Sequence, residues 1–130
     1  MASGAAGAER RDVVVVDDDD AVRLALCLSL KARGYTVRDF GSVTEFLDAL
    51  EPATTGCLVL DVKMPDMDSI AVQAALAERS VDLPVIFVSG RRHLPDGLRE
   101  ATPTLAAVLE KPFAPSLLAD TIAELFAAEP

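Results

Sequence analysis

The segment VVVVDDDD, residues 13–20, points to the fold because an apolar β-branched run ends directly in four carboxylates. A continuous run of this kind is typical of a strand that is covered on both faces, as in a parallel sheet. The acidic residues then lie at the carboxyl end of that strand. We therefore predict a first strand over residues 13–16, followed by a carboxylate-rich turn.

The rest of the chain alternates between helical and strand patterns. Apolar residues at helical spacing, with Gly34 as a stop, predict a first helix over residues 21–33: Val22, Leu26 and Leu30, joined by Leu24 and Leu28. Short apolar runs predict four further strands, over residues 35–40, 57–60, 85–88 and 107–109. Four further helices are predicted: from the capping box of Ser42 and Glu45 to about residue 50, over 70–79, over 95–101, and from Pro115 onward.

Five strands that alternate with five helices predict an α/β fold, an open five-stranded parallel sheet with helices on both faces. In such sheets ligands bind beyond the carboxyl ends of the strands, at the point where the strand order reverses. Residues 1–11 are small and polar without periodicity, so they are predicted to be a flexible tail. Residues 12–128 are predicted to form one domain.

Composition and charge narrow the possible functions. The chain has 130 residues, is 51% hydrophobic and carries a formal net charge of −9, values that suit one soluble domain and disfavour direct nucleic acid binding. The cysteines, Cys27 and Cys57, lack metal or redox spacing and are expected to be buried. No apolar run approaches the roughly 18 residues of a membrane span. We therefore expect no signal peptide, no membrane contact and a cytoplasmic location.

Polar residues follow four of the five predicted strands at their carboxyl ends. Asp17 and Asp18 come after the first strand, Asp61 after the third, Ser89 after the fourth and Lys111 after the fifth. Each alone has an ordinary interpretation as a solvated turn, a helix cap or a surface charge. Because the carboxyl ends of parallel strands meet at one edge, all five are expected to converge on one crevice.

The expected chemistry of this crevice is phosphoryl transfer to an aspartate with Mg²⁺. Carboxylates held close together repel each other and raise the pKa of at least one of them unless a cation compensates. Mg²⁺ suits such oxygen ligands and also takes phosphate oxygens. With the metal present, Asp61 is the candidate nucleophile, and Lys111 and Ser89 are the candidate contacts to phosphoryl oxygens.

Four segments resemble the signature blocks of the receiver domains of two-component signalling. They are VVVVDDDDAVR, CLVLDVKMPDMD, LPVIFVSG and LEKPF, and the resemblance extends over about residues 12–126. It implies a flavodoxin-like (βα)₅ fold with strand order 2-1-3-4-5. It also implies Asp61 as the phospho-acceptor and Ser89 and Lys111 as phosphoryl contacts. The implied Mg²⁺ site consists of Asp18, Asp61 and the backbone carbonyl of Lys63, supported by Asp17.

The same resemblance implies the partners and the way of working. A histidine kinase or a phosphotransfer protein would supply the phosphoryl group, and a downstream protein would read the change. The chain would be a phospho-acceptor regulator that promotes its own phosphorylation and slow autodephosphorylation, not an enzyme acting on other substrates. Receivers that are usually joined to a helix-turn-helix domain have segments similar to GCLVLDVKMP and DLPVIFVSG of this chain. No such domain follows here, so both a stand-alone receiver and one domain of a longer regulator or hybrid kinase stay open.

One departure from the family pattern concerns the output. Val108 stands where receivers commonly carry an aromatic ring that moves when the Ser or Thr engages the phosphoryl group. We therefore expect the signal to leave through reordering of residues 90–104, a segment made poor in helical stability by Pro95, Gly97 and Pro103.

The sequence leaves two alternatives to the phospho-accepting switch. The first is a pseudo-receiver that serves only as a protein-binding module, which the presence of Asp61, Asp18 and Lys111 disfavours. The second is a phosphatase of the haloacid-dehalogenase type, which would carry a second Asp where this chain has Lys63.

Overall fold

The computed structural model describes residues 12–51, 56–62, 69–90, 94 and 97–128. Its strands are β1 Asp12–Val16, β2 Thr36–Phe40, β3 Cys57–Asp61, β4 Val85–Ser89 and β5 Leu105–Glu110. Its helices are α1 Asp20–Ala32, α2 Val43–Ala49, α3 Ser69–Glu78, α4 Leu98–Ala101 and α5 Pro115–Ala128. Within these described ranges, no helix is both long and apolar enough to cross a membrane.

The strands form one parallel sheet in the order β2-β1-β3-β4-β5. The predicted α/β class and the strand order implied by the resemblance are both confirmed. The register brings the carboxyl ends of the strands level, since Val16 pairs with Leu60 and Ser89 pairs with Glu110. Residues that follow these ends therefore meet at one edge of the sheet.

The apolar core lies on both faces of this sheet, as the valine run of β1 predicts. Successive side chains of a strand point to opposite faces. Val14 and Val16 pack into one cluster with Phe46, while Val13 and Val15 pack into the other with Ile122. None of the four valines is more than 4% exposed. Cys27 and Cys57 are also buried, as expected.

The helix ends follow from short side-chain and backbone signals. The side chain of Ser42 accepts a hydrogen bond of 3.1 Å from the backbone N–H of Glu45, which is half of the predicted capping box. Gly34, just beyond α1, has a φ of 92°, a conformation that favours glycine. Pro115 is the first residue of α5, as predicted.

Three local expectations need correction. Leu24 and Leu28 do not join the buried stripe of α1, because residues two positions apart lie on nearly opposite helix faces; they are 60% and 59% exposed. The strand β5 covers residues 105–110 instead of 107–109, because its backbone pairs with β4 along that length. The described fourth helix is four residues long, Leu98–Ala101, and residues 95 and 96 of the expected helix lie outside the described residues.

Candidate functional site

The predicted site residues lie at the carboxyl edge of the sheet. Asp17 directly follows β1, Asp61 and Ser89 end β3 and β4, and Lys111 directly follows β5. Asp17, Asp61 and Ser89 are 2%, 4% and 1% exposed. Such burial is unusual for carboxylates unless they are paired or bind a cation.

Lys111 joins the buried carboxylates. Its Nζ lies 3.3 Å from Oδ2 of Asp17 and 3.4 Å from Oδ2 of Asp61. The backbone N–H of Lys111 also donates a hydrogen bond of 2.7 Å to the carbonyl oxygen of Ser89. The ammonium group is therefore held between the ends of β1 and β3, while its backbone is attached to the end of β4.

Asp18 completes a cluster of three carboxylates. One oxygen each from Asp17, Asp18 and Asp61 can be chosen so that all three lie within 4.8 Å of one another. Asp18 is exposed whereas the other two are buried, so the cluster opens to solvent on the side of Asp18. When all are ionised, three carboxylates and the one ammonium of Lys111 leave two negative charges. An all-oxygen, doubly negative cluster fits a hard divalent cation such as Mg²⁺.

The pKa shifts of Asp17 and Lys111 reflect the excess of negative charge in the cluster. Burial raises the pKa of Asp17, and the negative charge of Asp61 raises it further, against the lowering effects of Lys111 and of a 2.9 Å hydrogen bond from the backbone N–H of Asp19. Burial lowers the pKa of Lys111, but Asp61 and Asp17 outweigh it, so the pKa of this ammonium is raised. Lys111 therefore stays charged, but its single positive charge does not balance the negative charges of the three carboxylates.

The other two residues of the acidic run, Asp19 and Asp20, stabilise the start of helix α1. Asp19 caps α1, since its Oδ1 accepts hydrogen bonds from the backbone N–H groups of Ala21 and Val22 at 3.0 and 3.1 Å. Asp20 pairs with Arg23 one turn on, at 2.8 Å. Four consecutive aspartates thus divide between the carboxylate cluster and the start of the helix.

Arg23 supports the cluster and was missed in the sequence. Its Nη1 donates a hydrogen bond of 2.7 Å to the backbone carbonyl of Asp17, and its Nε donates one of 2.9 Å to Asp39 in β2. The guanidinium therefore attaches the loop that contains Asp17 and Asp18 to the neighbouring strand β2. The spacing of Asp20 and Arg23 on one helix was the available signal. The contact with Asp39 depends on the folded sheet.

The structure does not describe one of the predicted site residues. Lys63 lies outside the described residues, so the contribution of its backbone carbonyl stays a prediction. The residue just before Lys63 is attached to β4, because the backbone N–H of Val62 donates a hydrogen bond of 3.1 Å to the carbonyl oxygen of Val88. The structure thus brings together Asp17, Asp18, Asp61 and Lys111, with Ser89 buried at the adjacent strand end.

Residues 13–123 match the family described as the response regulator receiver domain. The response regulator protein TmoT of Ectopseudomonas mendocina is 38% identical over 101 residues, which are 78% of this chain and 46% of TmoT. The transcriptional regulatory protein FixJ of Azorhizobium caulinodans is 37% identical over 105 residues, 81% of this chain and 50% of that protein. The chain therefore spans about half the length of these relatives.

Solved structures of two similar proteins have the same fold. The response regulator StyR superposes with a TM-score of 0.76 at 35% identity, over 87% of this chain and 57% of StyR. A structure described as FixJ-N superposes with a TM-score of 0.77 at 26% identity, over 92% of this chain and 95% of that one.

Proposed function

Because the chain belongs to the response regulator receiver domain family, we propose that it is a phospho-accepting switch in a two-component phosphorelay. It takes a phosphoryl group from a histidine kinase or a phosphotransfer protein onto Asp61, with Mg²⁺. The observation that carries this proposal is the position of Lys111, whose Nζ lies within 3.4 Å of both Asp17 and Asp61 beside the three-carboxylate cluster.

The residues of the cluster have complementary parts in the proposed transfer. An oxygen of the ionised Asp61 forms the new bond to phosphorus while the bond from phosphorus to the donor histidine nitrogen breaks, and that nitrogen leaves with the electron pair. Lys111 faces Asp61 and stabilises the negative charge of the phosphoryl oxygens. The hydroxyl of Ser89, at the end of the neighbouring strand, donates to a phosphoryl oxygen.

Asp17, Asp18 and Asp61 would hold the Mg²⁺, together with the carbonyl of Lys63 that the resemblance implies. The bound ion supplies positive charge that compensates the carboxylates and the phosphoryl oxygens. Arg23 is a positioning residue in this scheme, because it touches the backbone of Asp17 and not the reacting atoms.

The phosphoryl donor approaches from the solvent-open side of the cluster, where Asp18 is exposed. Helix α1 begins two residues later and carries Leu24 and Leu28, 60% and 59% exposed, on its solvent face. Exposed apolar side chains next to the site suit contact with a partner helix. A downstream protein reads the phosphorylated state. The cytoplasmic location and the absence of direct nucleic acid binding stay predictions from composition.

Phosphorylation by a small phosphodonor tests this function directly. With acetyl phosphate and Mg²⁺, intact-mass spectrometry should find one added phosphoryl group on the wild-type chain and none on Asp61→Asn. Lys111→Ala should keep the acceptor but lose stabilisation of the phosphoryl charge. The matched control is Asp82→Asn, an exposed carboxylate in the segment before β4, which should be modified like the wild type.

Two results would contradict the proposal. Modification of Asp61→Asn to the same extent as the wild type would place the acceptor elsewhere. No modification of any variant, with the fold intact, would favour the protein-binding module that does not use phosphorylation.

A further inference from the structure

The side chain of Arg23 joins three parts of the chain at one point. Its Nη1 donates a hydrogen bond of 2.7 Å to the backbone carbonyl of Asp17, its Nε one of 2.9 Å to Oδ2 of Asp39, and its Nη2 one of 2.8 Å to Oδ1 of Asp20. A guanidinium is planar and presents its donors in fixed directions, so the acceptors bound to it are also fixed relative to one another. The loop after β1, the strand β2 and the first turn of α1 are therefore held together.

Asp17 is held at each of its four polar atoms. Its backbone N–H donates to the carbonyl oxygen of Phe40 at 3.2 Å, and its own carbonyl accepts from Arg23. Its Oδ1 accepts a hydrogen bond of 2.9 Å from the backbone N–H of Asp19, and its Oδ2 accepts one of 3.3 Å from Nζ of Lys111. The residue cannot shift without the loss of at least one of these hydrogen bonds.

Gly41, just beyond β2, leaves room for the guanidinium. A Cβ atom at position 41 would lie 3.2 Å from Nη1 of Arg23, closer than a Cβ atom usually approaches a neighbour. A larger side chain would have to push the guanidinium away from its acceptors. Residue 41 therefore offers a way to displace the guanidinium without changing any charge.

The position of Asp18 depends on the same contacts. The carbonyl that Arg23 binds belongs to the peptide group between Asp17 and Asp18. One carboxylate oxygen each of Asp17, Asp18 and Asp61 lies within 4.8 Å of the others. Mg²⁺ requires near-octahedral oxygens at about 2.0–2.1 Å, whereas Ca²⁺ takes more ligands at about 2.3–2.6 Å in a flexible arrangement. A loop that is held in place disfavours the larger ion, because the carboxylates would have to move apart.

We propose that Arg23 makes this metal site favour Mg²⁺ over Ca²⁺, by holding the loop of Asp17 and Asp18 at the spacing that the smaller ion requires. Arg23 acts here on the Mg²⁺ site of the proposed function, on which this proposal therefore rests. Because both ions carry two positive charges, loss of the Arg23 charge changes the two affinities alike. The ratio of the two affinities therefore reports the geometry of the loop.

The test measures the dissociation constants of Mg²⁺ and Ca²⁺ for the full ¹⁵N-labelled chain, from the chemical shifts of the backbone amides of Asp18 and Asp61. In Arg23→Ala the affinity for Mg²⁺ should fall about tenfold, as is common when a residue that orients a metal ligand is removed, while the affinity for Ca²⁺ changes by less than about threefold. Gly41→Val should shift the ratio of the two affinities in the same direction, because its side chain displaces the guanidinium and leaves every charge in place.

The matched control is Arg33→Ala, at the other end of α1, where the guanidinium pairs with Asp120 of α5 at 2.8 Å. It removes the same charge and should keep the wild-type ratio. Equal weakening of both ions in Arg23→Ala, or an unchanged ratio in Gly41→Val with a native circular dichroism spectrum, would overturn the proposal and leave the metal site in place. Binding of neither ion to the wild type would overturn the metal site of the proposed function and this proposal with it.

Discussion

Helices α1 and α4 differ sharply in length and in how their first turns are capped. Helix α1 has thirteen residues, a side-chain cap from Asp19 and a guanidinium, Arg23, that joins it to β2. Helix α4 has four residues and begins after Gly97, which provides no side-chain hydrogen bond to its end. The first helix therefore fixes the carboxylate cluster, whereas α4 begins without a side-chain cap and is held by the buried Leu98 and by a 2.8 Å hydrogen bond from the hydroxyl of Thr102 to the carbonyl oxygen of Leu98.

The difference between the two helices matches two separate requirements of a switch. A metal and phosphoryl site needs side chains held in place before the chemistry begins. An element that changes position in response must have alternatives of similar free energy, which a short, weakly capped helix provides. The α1 side of the molecule suits the first requirement and the α4 side suits the second.

The largest expected effect comes from removing the support of α1. Arg23→Ala loses hydrogen bonds to Asp17, Asp39 and Asp20 and should lower the free energy of unfolding by about 2 kcal/mol. It should also weaken Mg²⁺ binding, because the loop that carries Asp17 is no longer fixed. Urea unfolding with and without Mg²⁺ measures both effects.

The matched control for that variant lies on the other helix. Arg99→Ala changes an exposed arginine of α4 and should stay within about 0.5 kcal/mol of the wild type. Equal losses in the two arginine variants would mean that α1 is not held more firmly than α4.

A smaller effect is expected at the carboxylate cluster itself. Asp17 is buried beside Asp61, and burial raises its pKa despite Lys111, so its ionised form costs stability at neutral pH when no divalent cation is bound. Asp17→Asn should therefore raise the metal-free stability by about 1 kcal/mol, because the relief of burial and of the repulsion by Asp61 is partly offset by the lost ion pair with Lys111. Calorimetric scans should also find that the rise in melting temperature caused by Mg²⁺ in the wild type disappears. A metal-free stability below that of the wild type would contradict this account of the cluster.

Much of the fold was predictable because its elements carry their own signals. The four valines of β1 indicate a strand buried on both faces, and the Ser42 cap is visible as a local pattern. The extent of β5 was not predictable, since pairing with β4 and not its own composition sets its length. The exposed faces of Leu24 and Leu28 could have been predicted from helical geometry alone.

The residues of the site also differ in whether the sequence alone could predict them. Asp17, Asp18, Asp61 and Lys111 could be placed together because each lies at or within two residues of the carboxyl end of a strand in a parallel sheet. Arg23 could not be assigned, because Asp39 and the carbonyl of Asp17 meet its guanidinium only once β2 has paired with β1.

The smallest expected effect is the conformational response of α4, and it bears directly on the contrast with α1. Val108 pairs with Phe87 across β4 and β5 and packs partly buried against the core. A β-branched side chain has one preferred rotamer and lacks the two positions of a swinging ring. The response to phosphorylation should therefore run through the backbone of residues 97–104. With the phosphoryl mimic beryllofluoride and Mg²⁺, amide hydrogen exchange in this segment should change by about threefold, while the amides of Leu26 to Leu30 in α1 stay constant. That factor corresponds to less than about 1 kcal/mol, as expected for an element whose alternative states differ little in free energy. Exchange that changes only around Asp17 and Asp61, with residues 97–104 unaffected, would mean that the output leaves the site by another route.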